Sequence, residues 1–551
     1  MTQAEARSDT PPVEIDHRTR LQILGAILLG LFLAALDQTI VGTALPRIVD
    51  DLRGNDLYTW VFTVYLLTST VTGPIYGKLS DLFGRRPILM LGIGLFLGGS
   101  ALSGLSTDMW QLILFRGIQG LGAGSLFPVA LAVIGDLFSP SERGKYQGLF
   151  GAVFGLSALI GPALGGLITD TVGWPWVFFV NLPIGAVSLV IIWRTLPSVR
   201  RADAKRSIDY LGASVFVLAI VPILIGLTNK QFGEWTDPAV GGLIALGLLI
   251  TALFVWIESR AREPIVPLDL FTNRTFSVSV IASFLAAFGF FATIVFLPRW
   301  FQVVRGASAT ESGYQTLPLL AGLIASSVIA GQLVSRTGRY KTLMFGSLVL
   351  LTIGLLGLSS LRADIGLPIL WVWMFITGLG IGPSFAILTL IVQNAVPFAA
   401  LGAATSNLTF FRQVGGTVGL AIAGTIFGSA LRAEIPTQLA ARNVPAEFID
   451  RFSAGGFRTD DVATVGDLGE TILAAVPEQF RSFVEPIVPD IVAAVYDAFS
   501  IATAQTFLIG VGSAALAAIA CLFLRELPLR TTVREASPGE TSNRPAELAA
   551  P

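Results

Sequence analysis

The chain has 551 residues, 53% of them hydrophobic and only 13% charged, with a mean hydropathy of +0.72 and a formal net charge of -1. A soluble domain carries about 25% charge, so this composition is that of a membrane protein, and no basic soluble module exists to hold a nucleic acid. One histidine, His17, and one cysteine, Cys521, exclude an intrachain disulfide, a His/Cys metal centre and a histidine-based catalytic triad.

Residues 1–18 are polar, lack a signal-peptide pattern and read as a disordered tail. About 20 apolar residues cross a bilayer. Runs of that order are predicted at 21–46, 57–77, 87–106, 108–135, 143–170 and 174–195, then at 209–229 and 238–257. Six more follow at 276–303, 312–335, 342–361, 366–396, 399–429 and 501–526, giving fourteen spans. A long segment, 431–500, separates the last two spans and is expected to form short helices on the outer surface, while 531–551 reads as a disordered tail.

Loop charge sets the orientation. Lys78, Arg85, Arg86, Arg143, Lys145, Arg336, Arg339 and Lys341 fall on one side with both termini, against Arg47, Arg53, Lys230, Arg305 and Arg362 on the other. The positive-inside rule then puts both termini in the cytoplasm. Trp60, Trp110, Trp174, Trp176, Trp235 and Trp300 cluster near the outer ends, where interfacial anchors belong.

The halves repeat. Gly77-Lys78-Leu79-Ser80-Asp81-Leu82-Phe83-Gly84-Arg85-Arg86 returns, weakened, 254 residues later around Gly331, Leu333, Gly338 and Arg339. Gly120-Leu121-Gly122-Ala123-Gly124 returns as Gly378-Leu379-Gly380-Ile381-Gly382, and Gly161 and Gly165 return as Gly415 and Gly419. Spans one to six thus correspond to nine to fourteen. The expected architecture is all-α: a six-helix bundle over 19–200, an inserted helix pair over 201–262 and a second six-helix bundle over 263–530.

Three groups of residues carry candidate chemistry. Asp37, followed by Gln38, lies inside span one, where a carboxylate costs about 2.5–3.5 kcal/mol on insertion scales. It is either a proton-coupling group facing a wet cavity or a structural carboxylate satisfied by Gln38, Thr39 or a backbone amide. Arg116 in span four and Arg412, beside Gln413, in span thirteen are cations that stay charged when buried. They tune a nearby acid, hold an anionic group of a substrate, or merely line a water-filled cavity. At the basic end, Gly77, Asp81, Gly84, Arg85 and Arg86, with Asp136 near the end of span four, read as a cytoplasmic latch. Positive-inside anchoring alone explains the arginines but leaves Asp81 without a reason.

Together these stretches resemble the major facilitator superfamily, and within it the 14-helix drug:proton antiporter branch. The resemblance implies that Gly77–Arg86 gates the cytoplasmic side and that Arg116 with Gly120 and Gly124 takes part in proton transfer. It also implies that Gly155, Gly161, Pro162, Gly165 and Gly166 form the helix-five motif associated with exporters. Leu36-Asp37-Gln38-Thr39-Ile40-Val41 and Asn181-Leu182-Pro183-Ile184-Gly185 are similar to the branch's helix-one and helix-six motifs. Gly42 and Pro175 depart from the branch, and spans nine to fourteen hold no convincing buried acid, so a preference for dications is not implied. The resulting expectation is a monomeric, multi-pass protein of the plasma membrane, not an enzyme. It would use the proton gradient and no cofactor to export hydrophobic or amphipathic compounds, with a lipid or lipophilic metabolite as the alternative cargo.

Overall fold

The computed structural model describes residues 16–53, 57–197, 209–230, 233–445 and 485–529, together with Gly469, Leu473 and Arg481. The described residues fold as helices and turns. Fourteen helices correspond to the predicted spans: α1 His17–Leu52, α2 Tyr58–Phe83, α3 Arg85–Gly104, α4 Met109–Leu137, α5 Pro140–Thr171, α6 Asn181–Thr195, α7 Tyr210–Asn229, α8 Leu243–Glu258, α9 Arg274–Arg305, α10 Leu317–Thr337, α11 Lys341–Leu358, α12 Leu367–Ala395, α13 Leu401–Ala441 and α14 Val488–Leu522. Thirteen of the fourteen are long and apolar enough to cross a membrane; α6 and α8 reach that length with the turns Trp176–Phe179 and Pro238–Gly242 before them, and α2 falls short only in hydropathy. Thr68, Ser69 and Thr72 of its middle turns return their hydroxyls to carbonyls three or four residues back, which satisfies them inside an apolar layer.

Glycine sets which helices touch. Gly120 and Gly124 of α4 lie against the backbone of α2 at Tyr65 and Ser69, and Gly122 lies against α3 at Phe96. In the second half, Gly378 and Gly382 of α12 lie against α10 at Leu319 and Leu323, and Gly380 against α11 at Leu351. Gly161 and Gly165 of α5 face α1 at Thr39 and Ile40, while Gly415 and Gly419 of α13 face α9 at Phe284 and Phe288. Without a hydrophobic drive between helices in lipid, such small-residue contacts allow the backbone approach that holds a bundle together. The inserted pair leans on the seam between the halves: Phe216 of α7 stacks on Phe254 of α8 at 5.4 Å and on Phe410 of α13 at 5.3 Å. Lys78 of α2 reaches Glu263, just after α8, at 2.7 Å.

Three details differ from the sequence expectation. Span ten is broken: a short helix, Ala309–Gln315, with its own Ser308/Glu311 capping box, ends at Thr316 before α10 begins with a proline at its second residue. The proposed surface segment 431–500 is narrower than expected, because α13 runs on to Ala441 and α14 starts at Val488. Arg442 and Asp497 pair at 2.6 Å between the two extensions. The short helices expected between them fall on 446–484, nearly all outside the described residues, as are the tails 1–15 and 530–551. Trp300 is not an interfacial anchor: it is fully buried, and its indole donates to Ser500 at 2.8 Å.

Candidate functional site

Asp37 lies on the inner face of α1 with no solvent exposure, and two other helices, α4 and α6, converge on its carboxylate. Arg116 Nη1 of α4 meets Oδ2 at 2.5 Å. Oδ1 accepts from Gln119 Nε2, one turn further along α4, at 2.8 Å and from Asn181 Nδ2, the first residue of α6, at 3.0 Å. Arg116 also donates to Gln119 Oε1 at 2.7 Å and to the Val61 carbonyl at 3.4 Å, and its guanidinium lies 4.2 Å from the Tyr65 ring centre. Asn181 binds Ser100 Oγ at 3.0 Å, which in turn donates to the Phe178 carbonyl at 2.9 Å. Removing one partner of a buried ion pair leaves an uncompensated charge costing about 3–5 kcal/mol, so this carboxylate and guanidinium stand or fall together.

The structure thus brings Asp37 and Arg116 together, and adds Gln119 and Asn181, which sequence reasoning had not assigned to the site. Both were visible as amides inside apolar runs, Gln119 at the i+3 spacing that places it beside Arg116. Gln38 does not bind Asp37; it is half-buried and neighbours the Tyr65 hydroxyl. Arg412 pairs with neither Asp37 nor any other acid among the described residues. Its Nε donates to Ser283 Oγ of α9 at 3.0 Å and its Nη2 reaches the Ser384 carbonyl of α12 at 3.5 Å, with the Phe385 ring 4.6 Å from the guanidinium. Gln413, beside it on α13, is half-buried.

At the basic end the predicted latch residues form one cluster. Arg85 Nη1 pairs with Asp81 at 2.6 Å and its Nε with Asp136 at 2.8 Å, tying the ends of α2, α3 and α4. Gly84 supplies the turn between α2 and α3 at φ 94°, a region that L side chains rarely enter. Asp81 does more than expected. Its Oδ1 accepts the Gly402 amide at 3.0 Å and its Oδ2 the Ala403 amide at 2.8 Å, so it caps the N-terminus of α13 from across the molecule. Gly77, one turn earlier, lies against Gly402 and Ser406. Arg86 is half-buried and forms no ion pair among the described residues.

Helix α5 divides its glycines between two partners. Gly144, Gly148, Gly151 and Gly155 face α10 of the other half at Gly331, Ser327 and Ile324, whereas Gly161 and Gly165 face α1. Pro162 lies inside a continuous helix, and Gly166 has open space around it. Near the basic end, Gln147 Nε2 donates to Gln393 Oε1 at 2.9 Å, and Gln393 donates to the Leu131 carbonyl at 3.0 Å. The halves are therefore hydrogen-bonded to one another where the basic loops lie.

The Major Facilitator Superfamily model matches residues 27–420. Among curated proteins, Multidrug resistance protein 3 of Bacillus subtilis (strain 168) is 36% identical over 519 residues, covering 93% of this chain and 96% of the relative. Multidrug transporter protein MdtP of the same organism is 40% identical over 412 residues, covering 74% of this chain and 76% of the relative. Among solved structures, the proton:xylose symporter XylE bound to 6-bromo-6-deoxy-D-glucose superposes with a TM-score of 0.56 at 15% identity, covering 91% of this chain and 94% of that one, a likeness of fold.

Proposed function

Because the chain belongs to the major facilitator superfamily, whose members carry small molecules across membranes and are not enzymes, we propose that it is a proton-coupled antiporter exporting hydrophobic or amphipathic compounds by alternating access. It would act as a monomer in the plasma membrane with both termini in the cytoplasm. Relatives named as a multidrug resistance protein and a multidrug transporter favour efflux of several compounds. The observation that carries the proton coupling is the fully buried Asp37–Arg116 pair, with Gln119 and Asn181 on the same carboxylate.

With the basic end taken as cytoplasmic, the Asp81 cap and the Gln147–Gln393 bond hold that end shut. A proton reaching Asp37 from outside would neutralise it and remove the charge that holds Arg116, Gln119 and Asn181 in place. Protonation would therefore loosen the grip of α1 on α4 and α6 and release α5, which grips α1 through Thr39, whose hydroxyl donates to the Ser157 carbonyl at 3.1 Å. Two such states need differ by only a few kcal/mol for a proton to shift the population between them.

The test is substrate uptake into inverted vesicles under an imposed pH gradient. Asp37→Asn is expected to abolish substrate-induced dissipation of the gradient, while the purified variant still binds substrate. Full gradient-driven transport by Asp37→Asn would overturn the role given to Asp37. No dissipation by the unmodified protein for any cationic, neutral, anionic or lipid compound would overturn antiport itself.

A further inference from the structure

Among the described residues three arginines are buried, Arg116, Arg143 and Arg412, and Arg85 is partly buried; all but Arg412 are closely partnered. Arg116 has Asp37, Arg85 has Asp81 and Asp136, and Arg143 donates to the backbone carbonyls of Phe138 and Gly135. Arg412, 4% exposed, has one serine hydroxyl and one carbonyl at the limit of hydrogen-bond range, and its Nη1 has no partner. No carboxylate lies within 4 Å of it among the described residues. Helices α9 to α12 contain no Asp or Glu, and the first acid on α13 itself, Glu434, comes about six turns later. A guanidinium does not shed its charge by deprotonating, so Arg412 keeps a charge that no acid among the described residues balances.

The surroundings say what kind of group would bring it. The planar fork of arginine matches a carboxylate or phosphate through two parallel N–H donors, and here Nη1 is free while Nη2 is only weakly engaged. The Phe385 ring packs against the guanidinium and is itself only half-buried, so an apolar surface adjoins the charged one. Ser283 is buried and fixes Nε, which holds the fork in one orientation.

We propose that Arg412, oriented by Ser283 and flanked by Phe385, is a subsite for an anionic head group, and that the exported compounds accordingly include amphipathic organic anions. This rests on reading the chain as an exporter. It places the substrate's charge in the second half, apart from the proton site built by Asp37 and Arg116 in the first. The same chemistry could be met by an inorganic anion such as chloride, and the experiment separates the two.

The probes are three compounds on one fluorescent body: 11-(dansylamino)undecanoate, its primary amide and the corresponding amine. Binding to the purified full-length protein is read by dansyl fluorescence, with chloride present or replaced by gluconate. The unmodified protein is expected to bind the carboxylate at least tenfold tighter than the amide in both salts. Arg412→Gln should erase that preference and leave amide binding within twofold, while Arg412→Lys should keep much of it and Ser283→Ala should reduce it a few-fold. Equal affinity for carboxylate and amide in the unmodified protein, or a preference that survives Arg412→Gln, would overturn the subsite. A fall for all three probes in Arg412→Gln would mark a structural role and overturn it too. A carboxylate preference seen only in gluconate would assign the site to chloride instead. Because binding is scored without transport, these outcomes are independent of the vesicle assay, where absence of proton-driven uptake of every compound tried would sink the exporter reading alone.

Discussion

The two seams at which the halves meet are copies of one another, yet only one carries a carboxylate. On one, Gly77 and Asp81 of α2 face Gly402 of α13; on the other, Gly331 and Ser335 of α10 face Gly144 of α5. The reason lies in the helix each seam abuts. Helix α5 supplies its own N-terminal cap, a Ser139/Glu142 capping box in which Glu142 Oε2 accepts from the Ser139 amide at 3.2 Å. Helix α13 starts after Ala400, which has no side chain able to cap it. Its orphan amides at Gly402 and Ala403 are met by Asp81, from the other half. A cap supplied in trans exists only while the halves are together, so α13 gains its N-terminal hydrogen bonds on closing whereas α5 never loses its own. On the proposed alternating-access cycle, the first seam would act as a chemical latch and the second as a steric hinge.

The largest effect that could break this comparison is at Asp81. Hydrogen bonds to a charged acceptor contribute about 1.5–3 kcal/mol each, and Asp81→Ala removes two of them together with the Arg85 pair. Hydrogen exchange at the Gly402 and Ala403 amides is expected to quicken at least tenfold, with turnover reduced more than substrate affinity. Unchanged exchange at those two amides would show that the cap contributes nothing to closure.

The sterics, by contrast, should be alike on the two seams. A Cβ added at Gly331 would run into the Gly144 carbonyl, and one added at Gly77 into Ser406 and the Gly402 carbonyl. Gly331→Ala and Gly77→Ala should each disfavour the closed mouth by about 1–3 kcal/mol, the usual range for overpacking. Spin labels placed across the basic mouth would report it as a shift towards longer distances. A Gly77→Ala effect far larger than that of Gly331→Ala would mean that the seams differ in shape as well as in chemistry.

How much of this was legible beforehand follows from what each feature depends on. The spans were readable because crossing a bilayer is a condition on one continuous stretch, and Asp37 and Arg116 stood out because each is a charge inside such a stretch. Their partners depended on packing: Asn181 lies 144 residues from Asp37, and nothing in either local sequence says that α6 closes on α1. The Asp81 latch was half legible. The acid was conspicuous, but its partners are backbone amides, which leave no side-chain signature. The trace that did exist was negative, an uncapped start to α13 set against Ser139-Pro140-Ser141-Glu142 before α5. The division of α5 between Gly155, which faces the other half, and Gly161, which faces α1, could not be read at all, because glycines at helical spacing state that something approaches but not what.

The smallest predicted effect is the sharpest test of the asymmetry. Ser335 stands where Asp81 stands in the first half, and its hydroxyl is buried without a hydrogen-bond partner. An unsatisfied buried hydroxyl contributes nothing that its removal would forfeit, and deleting it spares the desolvation penalty. Ser335→Ala should therefore change thermal stability and transport by less than about 0.5 kcal/mol equivalent, in the range of surface-like substitutions. If the second seam were also a latch, held by a contact of Ser335 that forms in the other state of the cycle, the same change would leave stability intact and still slow turnover. Measured side by side with Asp81→Ala, a turnover defect of similar size in Ser335→Ala would make the two seams functionally equivalent, and a silent Ser335→Ala beside a crippled Asp81→Ala would assign the closing chemistry to the first half alone.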